Sequence, residues 1–189
     1  PLARWWDHLR GWRINGATVE RTTDGGATWL AANTGLTAVD HLQMVSPQVG
    51  WAWHDASLGL RRTTDGGATW ATQVTGSDAL LDLQFVNATY GWVRDTAGNL
   101  RRTTNGGATW SLVTAPPLPG GASGVVAVRF VNFNIGVAGM QGSDCQSWFS
   151  RTADGGLTWS APQPAPSQHF TFGTAQIGWG VTQCASGML

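Results

Sequence analysis

Short runs of alternating residues set the rhythm of this chain. Leu81, Leu83 and Phe85 alternate with Asp82 and Gln84, and a period of two predicts a strand with one buried face. A second run begins at Gly91-Trp92 and continues through Val93. A third covers 99–104, and a fourth opens at Thr109-Trp110 and continues Ser111-Leu112-Val113. Asn105-Gly106-Gly107 separates the third run from the fourth. Such residues tolerate positive φ and close tight hairpins.

The pattern then recurs. RTTDGGATW stands at Arg21–Trp29 and again at Arg62–Trp70, RTTNGGATW at Arg102–Trp110 and RTADGGLTW at Arg151–Trp159. The closing tryptophans are 41, 40 and 49 residues apart. Upstream of each lies a second repeated element: HLQMVSPQVGW (41–51), DLQFVNATYGW (82–92), AVRFVNFNIGV (127–137) and HFTFGTAQIGW (169–179), with a weaker copy at 2–12. A third element, Gly98-Asn99-Leu100, matches Leu58-Gly59-Leu60 and Ala17-Thr18-Val19. The long last interval is explained by loop insertions at 116–124 and 139–147, and 161–167 is a proline-rich connector.

Four short strands in roughly 40 residues, repeated in phase, predict an all-β protein with one four-stranded antiparallel propeller blade per repeat. The expected blades are 1–36, 37–77, 78–118 and 119–166, with part of a fifth at 167–189. A solenoid of β-turns is the competing architecture, but its repeats are usually shorter. Gly187-Met188-Leu189 matches Gly98-Asn99-Leu100, so a strand and another turn are expected to follow. The sequence therefore reads as part of a longer chain; a five-bladed ring with a two-stranded last blade is the alternative.

Composition narrows the function classes. The 189 residues carry zero formal net charge and only 12% are charged, which argues against a nucleic-acid binder needing a basic stripe. With 42% hydrophobic residues and 12 Trp the chain is not disordered. No apolar run approaches the ~20 residues of a membrane helix, and the first residues lack a signal-peptide pattern. Every basic residue is Arg, and Glu20 is the only Glu. Cys145 and Cys184 fall at similar places in neighbouring repeats. A disulfide between them would indicate an oxidising compartment; two free thiols are the alternative.

Thr22-x-Asp24-x-Gly26-x-Thr28-Trp29 and its copies resemble the Asp-box, the bacterial neuraminidase repeat S/T-x-D-x-G-x-T-W. The fuller pattern runs Phe-Val-Asn, Gly-Trp, Gly-x-Leu, then the box. It is most similar to the photosystem II stability/assembly factor family and its relatives in non-photosynthetic bacteria. The resemblance implies a β-propeller, a non-catalytic scaffold that binds protein, and a periplasmic, secreted or cell-surface location. It does not imply contact with a photosystem.

The residues of the box point the same way. Asp24, Asp65, Asn105 and Asp154 are expected to accept backbone hydrogen bonds within a turn. Gly26, Gly67, Gly107 and Gly156 permit positive φ. Trp29, Trp70, Trp110 and Trp159 would offer apolar surface to an adjacent blade. Asn105 would disable a metal ligand or general base but serves as an acceptor.

The runner-up is a sialidase-like glycoside hydrolase or carbohydrate-binding propeller with catalytic residues elsewhere. A sialidase needs a Tyr and a Glu. Tyr90 fills a slot held elsewhere by Val49, Ile135 and Ile177, and Glu20 stands where Arg61 and Arg101 stand. Other glycosidases need paired carboxylates; Asp55 and Asp95 sit at equivalent places and read as turn residues. Trp51, Trp53 and Trp5-Trp6 are candidate sugar platforms. His8, His41, His54 and His169 lack ligand spacing, so neither metal nor cofactor is expected. Arg21, Arg62, Arg102 and Arg151 each precede a box, and Arg61 and Arg101 add a second in two blades. These six would either grip an acidic partner through forked hydrogen bonds or serve their own blades.

Overall fold

A computed structural model describes residues 3–54, 59–73, 80–142 and 146–165. They form four antiparallel four-stranded sheets, each a simple meander in chain order, with no helix among the described residues. The fold is a β-propeller of such blades. The fifth, partial blade expected at 167–189 and both cysteines, Cys145 and Cys184, lie outside the described residues.

The chain divides into two compact units, Pro1–Val113 and Thr114–Leu189. The first holds three sheets: β1 Arg4–Trp5, β2 Gly11–Asn15, β3 Thr18–Thr22 and β4 Leu30–Asn33; β5 His41–Met44, β6 Gly50–Trp53, β7 Leu60–Thr63 and β8 Ala71–Gln73; β9 Leu80–Phe85, β10 Gly91–Asp95, β11 Leu100–Thr103 and β12 Ser111–Val113. The second unit holds β13 Ala122–Phe130, β14 Gly136–Gly142, β15 Ser147–Thr152 and β16 Gln163–Pro164.

Alternation holds in β9 with one correction. Leu83 and Phe85 are buried, but Leu81 is 51% exposed and Leu80 takes the inner position. The cause is a register shift between Arg94 and Asp95, which pairs Leu80 with Asp95. An extra residue in a ladder reverses the facing of what lies beyond it.

The glycine of each second strand answers a steric demand. Gly91 pairs with Phe85 and Gly136 with Phe130. A Cβ on Gly91 or on Gly136 would stand 2.5 Å from the Cδ1 of its facing phenylalanine. Gly50 and Gly11 are crowded in the same way by Met44 and Trp5. The first-strand side chain lies flat across the neighbouring strand, and only glycine leaves it room.

Inside the first unit, the core lies between successive sheets. One cluster joins Trp12 and Val19 to Leu36, Val39, Leu42 and Ala52. The other joins Trp51, Trp53 and Leu60 to Leu80, Leu83, Phe85 and Val93. The residue that crosses to the next blade is the second-strand tryptophan. Trp51 stacks on Phe85 with ring centroids 3.4 Å apart and planes at 4°. Its Nε1 donates to the Gly106 carbonyl at 3.1 Å, as Trp12 Nε1 donates to Gly66 at 2.8 Å. The box tryptophans mostly stay closer to home. Trp29, Trp110 and Trp159 meet the first-strand rings Trp5, Phe85 and Phe130 of their own sheets edge to face.

Candidate functional site

The repeated turn is a closed hydrogen-bond circuit. Thr22 Oγ1 donates to Asp24 Oδ1 at 2.7 Å and accepts from the Gly26 amide at 2.9 Å. Asp24 Oδ1 also accepts the Thr28 amide at 2.9 Å, and Oδ2 accepts the Thr28 hydroxyl at 2.5 Å. The same four bonds recur around Asp65 and around Asp154. The amide reached lies four residues on, where turn statistics alone suggest two. Both glycines of every turn carry positive φ, from 72° at Gly25 to 93° at Gly107, a backbone that disfavours any Cβ.

The third turn keeps the circuit with an amide. Asn105 Oδ1 accepts from the Thr103 hydroxyl and the Thr109 amide, each at 2.9 Å. Asn105 Nδ2 then donates to Thr109 Oγ1 at 2.8 Å, reversing that one bond. Threonine serves either way, because its hydroxyl both donates and accepts.

These bonds favour the carboxylate form. The Thr28 hydroxyl and amide, with Thr22, hold Asp24 down to about 2. Thr158 and Thr152 do the same for Asp154, also about 2. At Asp65 burial pushes upward, but the bonds from Thr69, Thr63 and Ala68 outweigh it and the value again falls to about 2. A carboxyl so held is a poor proton donor at neutral pH.

The arginines separate by position. Arg62 faces Trp51 across the β6–β7 ladder and lies 5.7 Å from its ring centroid. Its Nη2 donates to the Ala88 carbonyl of the next blade at 3.2 Å. Arg61 reaches the other way: Nε donates to the Thr34 carbonyl at 2.8 Å and Nη2 to that of Gly35 at 2.9 Å. Arg101 Nε stands 3.6 Å from the buried Asp95 carboxylate. Arg102, half-buried, faces Trp92 in the ladder. Arg21 faces Trp12 and, with Arg10, Pro47, Gln48 and Asp65, lines a cleft of about 150 Å³. Arg151 is exposed, its guanidinium 5.1 Å from the Phe149 ring centroid.

Other candidate chemistry is also placed. Glu20 is bound by Asn15 and Arg13, which hold its carboxyl below the usual range. Asp95 accepts the Asn99 amide and side chain. Asp7 is paired with Arg10 at 2.6 Å, and Asp40 with His54. Asp55, Asp78 and Asp144 lie outside the described residues. Trp51 and Trp53 are buried in the core and offer no sugar platform. Trp5 and Trp6 do face solvent, 49% and 47% exposed. They line a second cleft of about 150 Å³ with Arg4, Trp12, Leu42, Gln43 and Met44. Among the described residues no three His, Cys, Asp or Glu cluster as metal ligands, and no helix is long and apolar enough to cross a membrane.

Sequence reasoning misses the role of the second-strand tryptophan in joining blades. Its signal is present: Trp12, Trp51 and Trp92 each follow the glycine and each face an Arg of the next strand. A polar bridge between blades is hidden as well. Gln43, on β5, imitates a strand by bonding both the amide and the carbonyl of Phe85.

No family model and no curated protein matches the sequence. Solved structures do match by shape. YCF48 from Cyanidioschyzon merolae superposes with a TM-score of 0.62 at 16% identity, over 87% of this chain and 58% of that one. The chain thus spans less than two thirds of that protein's length. The GH74 xyloglucanase from Xanthomonas campestris matches with a TM-score of 0.56 at 14% identity, over 87% of this chain and 30% of that enzyme. The N-terminal domain of Nup159 matches with 0.54 at 9% identity, over 84% and 42%. At these identities, what the likenesses establish for the chain is its fold, a β-propeller.

Proposed function

We propose that the chain is a non-catalytic Asp-box propeller that holds a protein partner in a complex or its assembly, outside the cytoplasm. The observation that carries this reading is the turn circuit. Asp24, Asp65 and Asp154 spend both carboxylate oxygens on their own turns, and Asn105 does the same work without a charge. An element tolerant of that replacement serves architecture. The described carboxylates outside the turns that would be the catalytic candidates, Glu20 and Asp95, are likewise bound to neighbours. The resemblance to the photosystem II stability/assembly factor family adds the extracytoplasmic location.

The contact groups of this reading are exposed aromatics and arginines, which enrich protein interfaces. Arg4, Trp5, Trp6 and Arg151 are exposed. Of the six repeat arginines, Arg21 and Arg151 are the better contacts, since Arg61 and Arg62 are tied to backbone carbonyls. A second reading, carbohydrate binding, is favoured by one observation: Trp5 and Trp6 are adjacent, exposed and beside a cleft.

One paired experiment tests both. The chain and its Trp6→Ala variant are used to capture proteins from the secreted and periplasmic fractions of the source organism, and both are run on a glycan array. A defined protein retained by the parent and lost from Trp6→Ala supports the scaffold. Glycan binding with the same dependence, and no such protein, would replace it with the second reading.

A further inference from the structure

Among the described residues, Asn or Asp stands directly before Gly five times: Asn15-Gly16, Asp24-Gly25, Asp65-Gly66, Asn105-Gly106 and Asp154-Gly155. Such a pair can close on itself. The glycine amide nitrogen attacks the side-chain carbonyl carbon of the preceding residue, and glycine, lacking a Cβ, lets the chain bend into that ring. Two conditions govern the step. The amide nitrogen must be free to lose its proton, and the side chain must be free to turn towards it.

Four of the five pairs fail both conditions, and all four lie in the repeated turn. The Gly25 amide donates to the Leu9 carbonyl at 2.9 Å, and those of Gly66, Gly106 and Gly155 donate to Gln48, Thr89 and Asn134, each at 2.8 Å. The side chains are bound as well. Asn105 is the informative one, because it is an amide as Asn15 is. Its Oδ1 accepts from Thr103 and Thr109, and its Nδ2 donates to Thr109. The Trp51 indole also pins the Gly106 carbonyl.

Asn15 meets neither obstacle. It pairs with Thr18 across β2 and β3, so Gly16 and Ala17 are the two residues of the hairpin turn. The Gly16 amide donates to no described residue; only its carbonyl is held, by the Val39 amide at 3.0 Å. Nothing lies within 4 Å of where a Gly16 Cβ would stand. The Asn15 side chain makes a single bond, from Nδ2 to Glu20 Oε1 at 2.8 Å. Solvent exposure is not what sets this turn apart, since Gly25 is also exposed and its amide is bound.

We propose that Asn15 is a site of spontaneous deamidation, which the other Asn-Gly pair, Asn105-Gly106, resists because its turn is locked. Hydroxide removes the Gly16 amide proton, and the nitrogen bonds to Asn15 Cγ. The Cγ–Nδ2 bond breaks, and Nδ2 takes a proton from water and leaves as ammonia. Water then opens the cyclic imide at either carbonyl, leaving aspartate or isoaspartate. The net change is one water consumed and one ammonia released. Glu20 thereby loses the hydrogen bond that does most to hold its carboxyl down, and it gains a negative neighbour. The isoaspartate product adds a backbone carbon before Gly16 and so shifts the carbonyl that Val39 holds on the approach to β5. The proposal does not rest on the scaffold reading.

The test incubates the full chain at 37 °C, folded and in guanidinium chloride, at pH 6 and pH 8, and follows the products by tryptic digestion and mass spectrometry. Cleavage after Arg13 and Arg21 isolates Asn15 in residues 14–21, and cleavage after Arg102 and Arg129 isolates Asn105 in residues 103–129. Folding should slow Asn15 by less than tenfold and Asn105 by more than tenfold, because structure protects only what it binds. Asn15 should yield two products of equal mass that separate by chromatography, faster at pH 8 than at pH 6. The proposal is overturned if folding slows Asn15 tenfold or more, if it slows Asn105 less than tenfold, or if the Asn15 rate does not rise with pH.

Discussion

Replacing Trp51 by alanine should remove the largest single link between the second and third blades. Trp51 is 0% exposed, stacks on Phe85 and donates to Gly106. A buried Trp hides about 150–250 Å², worth roughly 4–6 kcal/mol at ~25 cal/mol per Å² as an upper bound. Truncations of this kind cost about 3–5 kcal/mol. At about 2–4 °C per kcal/mol for a domain of this size, the melting temperature should fall by roughly 6–20 °C. Trp51→Phe separates the two contributions. It keeps a ring over Phe85 but leaves the buried Gly106 carbonyl without its donor, at a cost of about 1–3 kcal/mol. Trp5→Ala is the control, because half of that side chain is already in water; its cost should be roughly half that of Trp51→Ala by area. Urea unfolding followed by far-UV circular dichroism reads all three free of changes in tryptophan emission. The reasoning is refuted if Trp51→Ala costs no more than Trp5→Ala.

Two further outcomes follow from the geometry. Gly91→Ala should destabilise by about 1–3 kcal/mol, because its Cβ would stand 2.5 Å from Phe85 Cδ1. Gly120→Ala, with nothing within 4 Å of the added carbon, should change stability by less than about 0.5 kcal/mol in the same urea unfolding experiment. The turn carboxylates predict an acid limb. Asp24, Asp65 and Asp154 sit near 2 in the fold against 3.8 when free. Since their folded values are depressed, their stabilisation is present above about pH 4 and is lost as pH falls towards 2. Asp65→Asn should keep the fold, as Asn105 does, and make the loss between pH 4 and 2 shallower; Asp65→Ala should melt lower at every pH.

Much of the fold is written in short-range pattern. The turn between third and fourth strands is legible because positive φ demands glycine and a closed circuit demands Thr, Asp and Thr at fixed offsets. The strands follow from alternation, except where the bulge beside Asp95 turns Leu81 outward. A register shift leaves no mark in the strand that it reverses. What joins one blade to the next is harder to read. Trp12 and Trp51 find their acceptors 54 and 55 residues away, and a pattern within one repeat does not say which neighbour a side chain meets. For the same reason the arginines are legible as a set but not by role. Arg61 and Arg62 are adjacent in sequence, yet they reach opposite neighbouring blades. The sugar platform assigned to Trp51 and Trp53 fails because tryptophan alone does not distinguish a surface from a blade junction.

The central claim is that the repeated turn and, in the second blade, its arginine Arg62 are parts of the architecture. Arg62→Gln tests it most directly. Its guanidinium donates to Ala88 and lies against Trp51, so its loss should cost about 1–2 kcal/mol. A melting temperature lower by a few degrees for Arg62→Gln, with Arg151→Gln unchanged, is the predicted result. An unchanged melting temperature for Arg62→Gln would contradict the account.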